Sequence, residues 1–334
     1  LVAAPSDGRL IGLAPVERAE IFGGLPLAHW QSWRNPHLFN GAPLIAAGFE
    51  NTFFSAVSAW LDAKPGGGRF LRLIEARLDA NAVEAATAQR RILTERTWRR
   101  AGLALPPSHE GGEFSAADIG RRFSTKKAKE LRRQRRRLQD VAPFRVRSIG
   151  GGASADQSPD DVARLIAAYA RLEARGWKGA RGDAVSDPAM GSFFKDAMHA
   201  MFAADAAMAV VLERIDQDPP APIAMAIFLR HGSHLSAFKT AYDETYAAYS
   251  PGILVLMEAT KFIMTLDGVS FLDSCAKPDH PVAGKLWPDH CEVSNLLIAG
   301  GDTLTPSLIR LARVGAQGYH GLRAVLRGRQ AKQR

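Results

Sequence analysis

The sequence is poor in cysteine and lacks any long apolar run. Cys275 and Cys291 are its two cysteines among 334 residues, which excludes a disulfide framework and makes reduced thiols in a cytoplasmic protein the simplest interpretation. The longest apolar stretches, 206–212 and 253–257, are too short to span a membrane. Because the two histidines nearest the cysteines follow no zinc-ligand spacing, we also expect no metal site.

The first residues lack the pattern of a signal peptide. Leu1 to Gly8 contain neither a basic region nor an apolar core, and the sequence does not begin with Met. Two short strands separated by a turn at Ser6 to Gly8 fit this stretch better. We therefore expect the chain to begin inside a domain whose first part lies upstream.

Positive charge is confined to one segment. The formal net charge is +9, and residues 121–137 alone hold ten Lys or Arg and one acid, while the remainder has 33 basic and 33 acidic residues. A helix from Ser124 to Gln139 is predicted there. The whole charge excess therefore belongs to one helix and not to a broad basic face.

Several functions for this basic segment stay open. Its apolar stripe of Ala128, Leu131 and Leu138 is thin, which is typical of a solvated linker helix. Contact with an anionic acceptor, with RNA or with an anionic membrane surface is the functional alternative. Aromatic residues are absent from the run except for Phe123, so a stacking platform for single strands is disfavoured and nucleic acid is an unlikely partner.

The pattern along the chain predicts an α/β protein with mixed sheets in two lobes. Residues 1–105 are a mixed first lobe that includes a predicted helix from Ala82 to Arg100, and residues 106–123 are a polar, Gly-rich linker. Residues 124–299 form the second lobe, and residues 300–334 a C-terminal helix with a basic tail. In the second lobe we predict helices after Ser158 and after Asp187, three antiparallel strands, a crossover helix, a strand ending at Asp273 and a last strand.

The crossover helix is introduced by a tight loop that suits a phosphate group. Ser250 can cap the helix, Pro251 occupies the first helical position, and Gly252 leaves the backbone bare for a close approach. Ile253 begins the apolar face of the helix. Free N–H groups at a helix start, together with the helix dipole, attract a phosphate. An ordinary crossover helix with a good cap would give the same pattern.

A crossover helix also makes its two flanking strands parallel neighbours. The strands are His234 to Tyr242 and Val269 to Leu272. If they separate towards the helix start, the gap exposes backbone groups to an extended ligand. The helix start would then hold the phosphates of that ligand.

Several short motifs, in order, resemble a known family. They are Gly176-Trp177-Lys178-Gly179, Lys239-Thr240-Ala241-Tyr242-Asp243, Tyr249-Ser250-Pro251-Gly252, Asp273-Ser274-Cys275 and Pro278-Asp279-His280-Pro281. In order and spacing they resemble the GNAT-type acetyltransferases associated with cellulose and exopolysaccharide biosynthesis. The resemblance covers residues 124–299. It implies a two-lobed, Fem-like arrangement of GNAT-like lobes, the first of them degenerate and truncated at its N-terminus.

The resemblance also implies a reaction. An acyl-CoA, in the first place acetyl-CoA, is the expected donor, and an amine or hydroxyl of a sugar or other small molecule is the expected acceptor. The loop 243–252 departs from the Gly-rich loop of ordinary GNAT enzymes, because it contains two acids and a single glycine. Fem-like aminoacyl transfer from tRNA and a non-catalytic binding module therefore stay open.

Candidate site residues follow from this chemistry. Acyl transfer needs a proton acceptor for the nucleophile and a proton donor for the leaving thiolate. The catalytic candidates are Asp273, His280 and Tyr242. The donor-binding candidates are Lys239, Asp243, Tyr249, Ser250, Pro251, Gly252 and Ile253. Trp177 and Lys178 are the acceptor-binding candidates. For each of these residues an ordinary structural role, such as a turn cap, a packed ring or a solvated charge, is the alternative.

Overall fold

The computed structural model of the chain describes residues 2–3, 8–35, 37–89, 92–105, 125–151, 158–176, 179, 188–278, 280, 282–300 and 307–310. The predicted linker 106–123, Trp177, Lys178 and most of the predicted tail helix lie outside these residues. The chain divides into two compact units, Leu1–Arg99 with Glu292–Arg334, and Arg100–Cys291.

Strands and two helices build the first unit. Its strands are β1 Val2–Ala3, β2 Gly12–Leu13, β3 Val16–Ala19, β4 His29–Ser32, β5 Leu44–Ile45 and β6 Phe70–Ala76, with parts of β7 Ile92–Ala104 and β13 Asp289–Ala299. Its helices are α1 Glu50–Asp62 and α2 Ala80–Gln89. β13 pairs antiparallel with β6, and β4 pairs parallel with β6. Buried side chains of both helices pack with β6 into one core.

The predicted helix from Ala82 to Arg100 is wrong in its second half. Helix α2 ends at Gln89, and Ile92–Ala104 is a strand of 13 residues. The strand is held by tertiary partners, because the Glu95 carboxylate accepts two hydrogen bonds of 2.8 Å from Arg72. Thr97 Oγ1 also lies 2.8 Å from Ser294 Oγ. The charged residues in this segment are compatible with a helix, so the sequence pattern did not indicate a strand.

The second unit follows the predicted order of elements. Its helices are α3 Thr125–Val141, α4 Pro159–Arg175, α5 Pro188–Ala203, α6 Pro251–Ile263 and the short α7 Ala283–Leu286. Its complete strands are β8 Phe144–Gly150, β9 Ala207–Arg214, β10 Ala221–His231, β11 His234–Tyr242 and β12 Phe271–Asp273. The strand order is β7-β12-β11-β10-β9-β8, and β11 with β12 is a parallel pair. The mixed α/β fold and the parallel neighbours of the crossover helix are confirmed.

Local sequence explains helix α4. Ser158 Oγ accepts a hydrogen bond from the Asp161 amide at 3.2 Å, and Pro159 follows as the first helical residue. Acidic residues lie in its first turn and Arg175 in its last, which complements the helix dipole. The side chains of Val162, Leu165, Ile166, Tyr169 and Leu172 are buried at helical spacing. Helix α4 therefore has one fixed face against the sheet.

The basic helix α3 packs on the core and is not a solvated linker. Leu131 and Leu138, seven residues apart, are fully buried in the cluster that also contains Leu254 and Val255 of α6. Ala128 packs against the same cluster. These few apolar side chains are therefore enough to anchor the helix to the core, while the charged side chains on its other faces remain in solvent.

Within the residues described, none of the helices combines the length and the apolar character needed to cross a membrane.

Candidate active site

The parallel strands β11 and β12 pair over only three residues. The register joins His234 with Phe271, Leu235 with Leu272, and Ser236 with Asp273. β12 ends at Asp273, whereas β11 continues to Tyr242. In the described part of the chain, no strand pairs with residues 237–242 on this side of β11. We call residues 237–242, where β11 continues without β12 beside it, the open edge of this strand.

A β-bulge lies at the point where this edge opens. Ile227 of β10 pairs with Lys239 and the neighbouring Phe228 with Ala237, so the register shifts by one residue at Phe238. The Phe238 ring stacks on Phe194 of α5 at 6.3 Å. Lys239 reaches Glu173 of α4. Two consecutive side chains thus contact helices on one face of the sheet, which regular alternation would forbid.

A buried polar group holds β11 from that face. The Lys239 Nζ lies 3.6 Å from Glu173 Oε1, and the two side chains are 9% and 0% exposed. The Tyr169 hydroxyl donates a 2.9 Å hydrogen bond to the same carboxylate. Burial, with Glu173 as a second cause, raises the pKa of Tyr169 well above its ordinary value. Lys239 is thus placed beside Glu173, and its contact with a phosphate stays a prediction.

Asp273 ends β12 in a dense polar setting. One carboxylate oxygen lies 3.3 Å from Arg100 Nη1 and 3.6 Å from Cys291 Sγ, and the other accepts a 2.8 Å hydrogen bond from the Cys275 amide. Both Asp273 and Arg100 are buried. The carboxylate therefore closes a turn and forms an ion pair. Its use as a proton acceptor stays a prediction.

Cys275 beside it is not an activated thiol. Burial, and secondly the Asp273 carboxylate, raise the pKa of the Cys275 thiol to about 12. Its backbone has a φ of 51°, which is uncommon for a residue with a side chain. Because the thiolate is the nucleophilic form of cysteine, the raised pKa disfavours Cys275 as a nucleophile.

The start of α6 differs in one respect from the sequence prediction. Ser250 has a φ of 55° and its side chain makes no capping hydrogen bond. The left-handed conformation ends the 3-10 helix Glu244–Tyr249 and turns the chain directly into α6. The Ser250 carbonyl accepts from Ile253 and Leu254 at 3.0 and 3.1 Å. Since Pro251 has no N–H, the Gly252 amide is the one in this turn without an acceptor among the described residues.

Packing explains why residue 252 is glycine. A Cβ at this position would lie 3.1 Å from Cδ1 of the Tyr242 ring. Tyr242, Tyr249 and Ile253 are all partly buried against the same core. The structure thus brings the end of β11 and the start of α6 together, and the donor-binding candidates in this corner are neighbours.

The two acids of the loop point away from the helix start. Asp243 accepts hydrogen bonds from the Thr245 amide at 3.0 Å and from its hydroxyl at 2.7 Å, and so caps the 3-10 helix. Glu244 lies near the end of α4, because a Cβ on Gly176 would be 3.2 Å from Glu244 Oε1. The acidic composition of the loop therefore does not place a carboxylate at the Gly252 amide.

The basic helix α3 lies beside the same corner. Gln134 Nε2 donates to the Ala248 carbonyl at 3.4 Å, and the Arg137 guanidinium lies over the Tyr249 ring at 5.6 Å. Arg135 pairs with Glu258 of α6 at 3.5 Å. Sequence distance concealed this neighbour, since α3 precedes the corner by more than a hundred residues. The positive charge of α3 is evident from the sequence, whereas its position beside Tyr249 is not.

The remaining candidates lie apart from this corner. His280 is exposed, and its Nδ1 accepts from the amides of Val282 and Ala283 at 3.3 and 3.2 Å, so it caps the short helix α7. Trp177 and Lys178 lie outside the described residues. Arg100 and Glu173 were missed by the sequence analysis, because a single charged residue in a strand or helix gives no local signal of burial. Among the described residues, no group of His, Cys, Asp or Glu is arranged to hold a metal ion.

Comparison with known families agrees with this geometry. Residues 125–280 match the profile of the family described as acetyltransferase (GNAT) domain. This range contains the basic helix, the open edge of β11, the helix start and Asp273. The match supports a GNAT-type acyltransferase, and that expectation is confirmed.

Solved structures resemble this chain at low sequence identity. The C-terminal domain of a putative lysylphosphatidylglycerol synthetase from Agrobacterium fabrum has a TM-score of 0.50 and 12% identity, over 95% of this chain and 88% of that one. L-PGS from Bacillus licheniformis has a TM-score of 0.47 and 12% identity, over 94% and 88%. FemX has a TM-score of 0.46 and 10% identity, over 89% and 86%. The first of these supports the fold alone. No curated protein matches the sequence.

The buried pair of Lys239 and Glu173 should be important for stability. Replacing Glu173 by Gln leaves the Lys239 ammonium without this carboxylate in a dry place, so we expect the free energy of unfolding in urea to fall by about 3 kcal/mol. As a control, Glu130→Gln removes the exposed partner of Arg133 and should have a much smaller effect. Equal losses in both variants would contradict the buried pair.

The raised pKa of Cys275 should be visible in its alkylation by iodoacetamide. At pH 8 the native protein should react at this residue at least about 100-fold more slowly than the urea-unfolded protein, because the thiolate fraction is lower. Between pH 8 and 10 the native rate should still rise about tenfold per pH unit, whereas the unfolded rate levels off near the ordinary pKa of cysteine. Peptide mass mapping separates Cys275 from Cys291. A native rate that levels off with the unfolded one would refute the assignment.

Proposed function

We propose that this protein transfers an acyl group, in the first place acetyl, from acyl-CoA to an amine or hydroxyl of a small acceptor. The observation that carries the proposal is the open edge of β11 beyond Ser236, which leads to the start of α6. A donor with an extended amide-containing arm and a diphosphate fits such an edge followed by a helix start.

This corner has groups suited to both the extended arm and the diphosphate of the donor. Backbone groups of residues 237–242 would bind the amides of the extended arm. The Gly252 amide and the positive end of α6 would face the diphosphate, with Ser250, Pro251 and Ile253 shaping the turn. Arg137 of the basic helix would supply a positive charge that the loop itself lacks, and Tyr249 would support its guanidinium. Lys239 and Asp243 would support the strand and the loop.

The reaction needs two proton movements. The acceptor's nitrogen or oxygen attacks the thioester carbonyl, the carbon–sulfur bond breaks, and the acceptor loses a proton while the thiolate gains one. Tyr242 lies at the end of the open edge, and we assign its hydroxyl to the thiolate. Asp273 lies where the edge begins, and we assign it, through a water molecule, to the acceptor's proton. His280 is the second candidate for that step. Backbone amides of the open edge would stabilise the oxyanion.

The acceptor would approach from the α4 side. A small hollow of about 30 Å³ lies between the end of α4 and β11, and Gly176, Tyr242 and Glu244 are among its lining residues. Trp177 and Lys178 directly follow Gly176, which supports their proposed contact with the acceptor. A saccharide acceptor in cell-surface polysaccharide biosynthesis, used in the cytoplasm, is the specific form of the proposal. It rests on the motif resemblance.

Aminoacyl-tRNA is a second candidate donor. The exposed side of α3 favours it, because Arg132, Arg133 and Arg136 are exposed to solvent on this helix. Such a cationic helix suits a phosphate backbone. In that case the acyl group would be an amino acid and the leaving group a ribose hydroxyl.

Calorimetry separates the candidates. We expect acetyl-CoA to bind in the micromolar range, 3′-dephospho-acetyl-CoA more weakly, and tRNA with low affinity that disappears in 200 mM salt. Release of free thiol with a panel of amino sugars, amines and hydroxylated sugars would then identify the acceptor class. Absence of heat with every thioester would overturn the proposal, and tight tRNA binding with a steep salt dependence would favour the second candidate.

Arg137 should contribute to donor binding. We expect Arg137→Gln to weaken acetyl-CoA binding about tenfold, since one charge-assisted contact to a phosphate is lost. Arg132→Gln is the matched control, because Arg132 is exposed on the opposite flank of the buried stripe of α3. Its affinity should change less than about twofold. The same loss in both variants would show a general charge effect and contradict a specific contact.

Tyr242 should affect turnover more than binding. Tyr242→Phe keeps the ring that packs over Gly252 and removes only the hydroxyl, so the affinity for acetyl-CoA should stay the same. We expect kcat for thiol release to fall about 100-fold. Tyr249→Phe, which removes the hydroxyl of a neighbouring tyrosine, serves as the control and should retain kcat. An unchanged kcat in Tyr242→Phe would remove this residue from the mechanism.

A further inference from the structure

A larger cavity lies on the other face of the sheet. Its volume is about 560 Å³, and it is enclosed by α4, the ends of β8, β9 and β10, and the turn between β9 and β10. Val211, Glu213 and Met225 face this cavity, whereas the alternate residues Val210, Leu212 and Ala226 belong to the core beneath α3 and α6. The cavity therefore lies mainly on the face opposite α3 and α6, and Asp243 and Tyr246 of the loop before α6 form one edge of it.

Arginine is the dominant residue type in its walls. The six arginines are Arg145, Arg147, Arg164, Arg171, Arg175 and Arg214. The three on α4 are spaced by seven and four residues and so share one helix face, with the small Ala168 between them. Arg145 and Arg147 belong to β8 across the cavity. Positive groups therefore converge from opposite walls.

The acidic residues of the cavity do not balance this charge. Glu213 pairs with Arg145 and Arg147 at 2.6 and 3.5 Å, and Asp161 pairs with Arg164 at 2.6 Å. Asp243, the remaining acid in the described lining, is engaged by Thr245. Arg214 pairs with Asp216, which lies outside the lining, and donates to the Tyr246 hydroxyl, so four of the six arginines have a carboxylate partner.

Two arginines carry most of the excess. Arg171 and Arg175 are one helical turn apart and exposed, and neither has an ion pair among the described residues. The floor between the walls is apolar and includes Val211, Ile223 and Met225. A ligand for this cavity should thus combine a multiply charged anionic group with a part that packs on an apolar floor.

We propose that this cavity binds a small molecule through a phosphate or diphosphate group. A phosphate offers three acceptor oxygens and close to two charges, so it can engage Arg171 and Arg175 together and one arginine of β8, which a single carboxylate cannot do. The volume lies in the range of small-molecule sites. This inference does not depend on the proposed acyl transfer, because it concerns binding without a donor.

Binding of inorganic pyrophosphate and of glucose 1-phosphate tests the proposal, with glucose as the uncharged control. Calorimetry on the full chain should detect both phosphates and not glucose. The double variant Arg171→Gln/Arg175→Gln should weaken both at least about tenfold, and circular dichroism should stay native because both side chains are exposed. The matched control is Arg132→Gln/Arg136→Gln, which removes two exposed arginines at the same spacing from α3 and should change affinity less than about twofold.

The donor corner must be distinguished from the cavity in the same experiment. Saturating acetyl-CoA should leave glucose 1-phosphate binding intact, and Arg137→Gln should have no effect on it. Loss of binding in Arg137→Gln, competition by acetyl-CoA, equal weakening in the two double variants, or no binding of either phosphate would each overturn the cavity assignment. Of these results, only competition by acetyl-CoA would also concern the site where acetyl-CoA binds.

Discussion

Two neighbouring parallel strands that pair over only three residues set the geometry of the candidate site. β11 leaves β12 after Ser236, and the chain must hold both strands apart against the tendency of backbone groups to pair. On β11 the bulge at Phe238 turns the strand, and the buried contact of Lys239 with Glu173 holds it to α4. On β12 the ion pair of Asp273 with Arg100 fixes the strand end.

Burying charged groups of this kind costs desolvation free energy. Their position therefore indicates which part of the fold they hold in place. A charge out of water is tolerated when it is paired and hydrogen-bonded, as Glu173 is with Lys239 and Tyr169. Such pairs fix geometry well, because alternative arrangements would leave a charge unpaired. The chain uses them on both sides of one opening. The opening is therefore a feature that the fold maintains and not a gap left by poor packing.

Electrostatics in this domain is decided by orientation more than by composition. The loop before α6 contains two acids, yet Asp243 caps its own 3-10 helix and Glu244 lies near Gly176. The positive charge near α6 comes from α3, which is anchored by Leu131 and Leu138. Burial, and secondly Asp273 beside it, raise the pKa of the Cys275 thiol, which disfavours this residue as a nucleophile.

The sequence by itself determined the local elements with strong signals. Ser158, Pro159 and Asp161 fixed the start of α4, and strand His234–Tyr242 has the predicted bounds, because caps and apolar runs act over a few residues. The crossover helix, the parallel strands and the confirmed acyltransferase domain followed from order and motifs. Tertiary structure alone decided that Ile92–Ala104 is a strand, that Ser250 does not cap α6, and that the basic helix lies beside Tyr249. It also decided that Lys239 and Asp273 have buried partners, since a charge pair between residues far apart in the chain leaves no periodic pattern in the sequence.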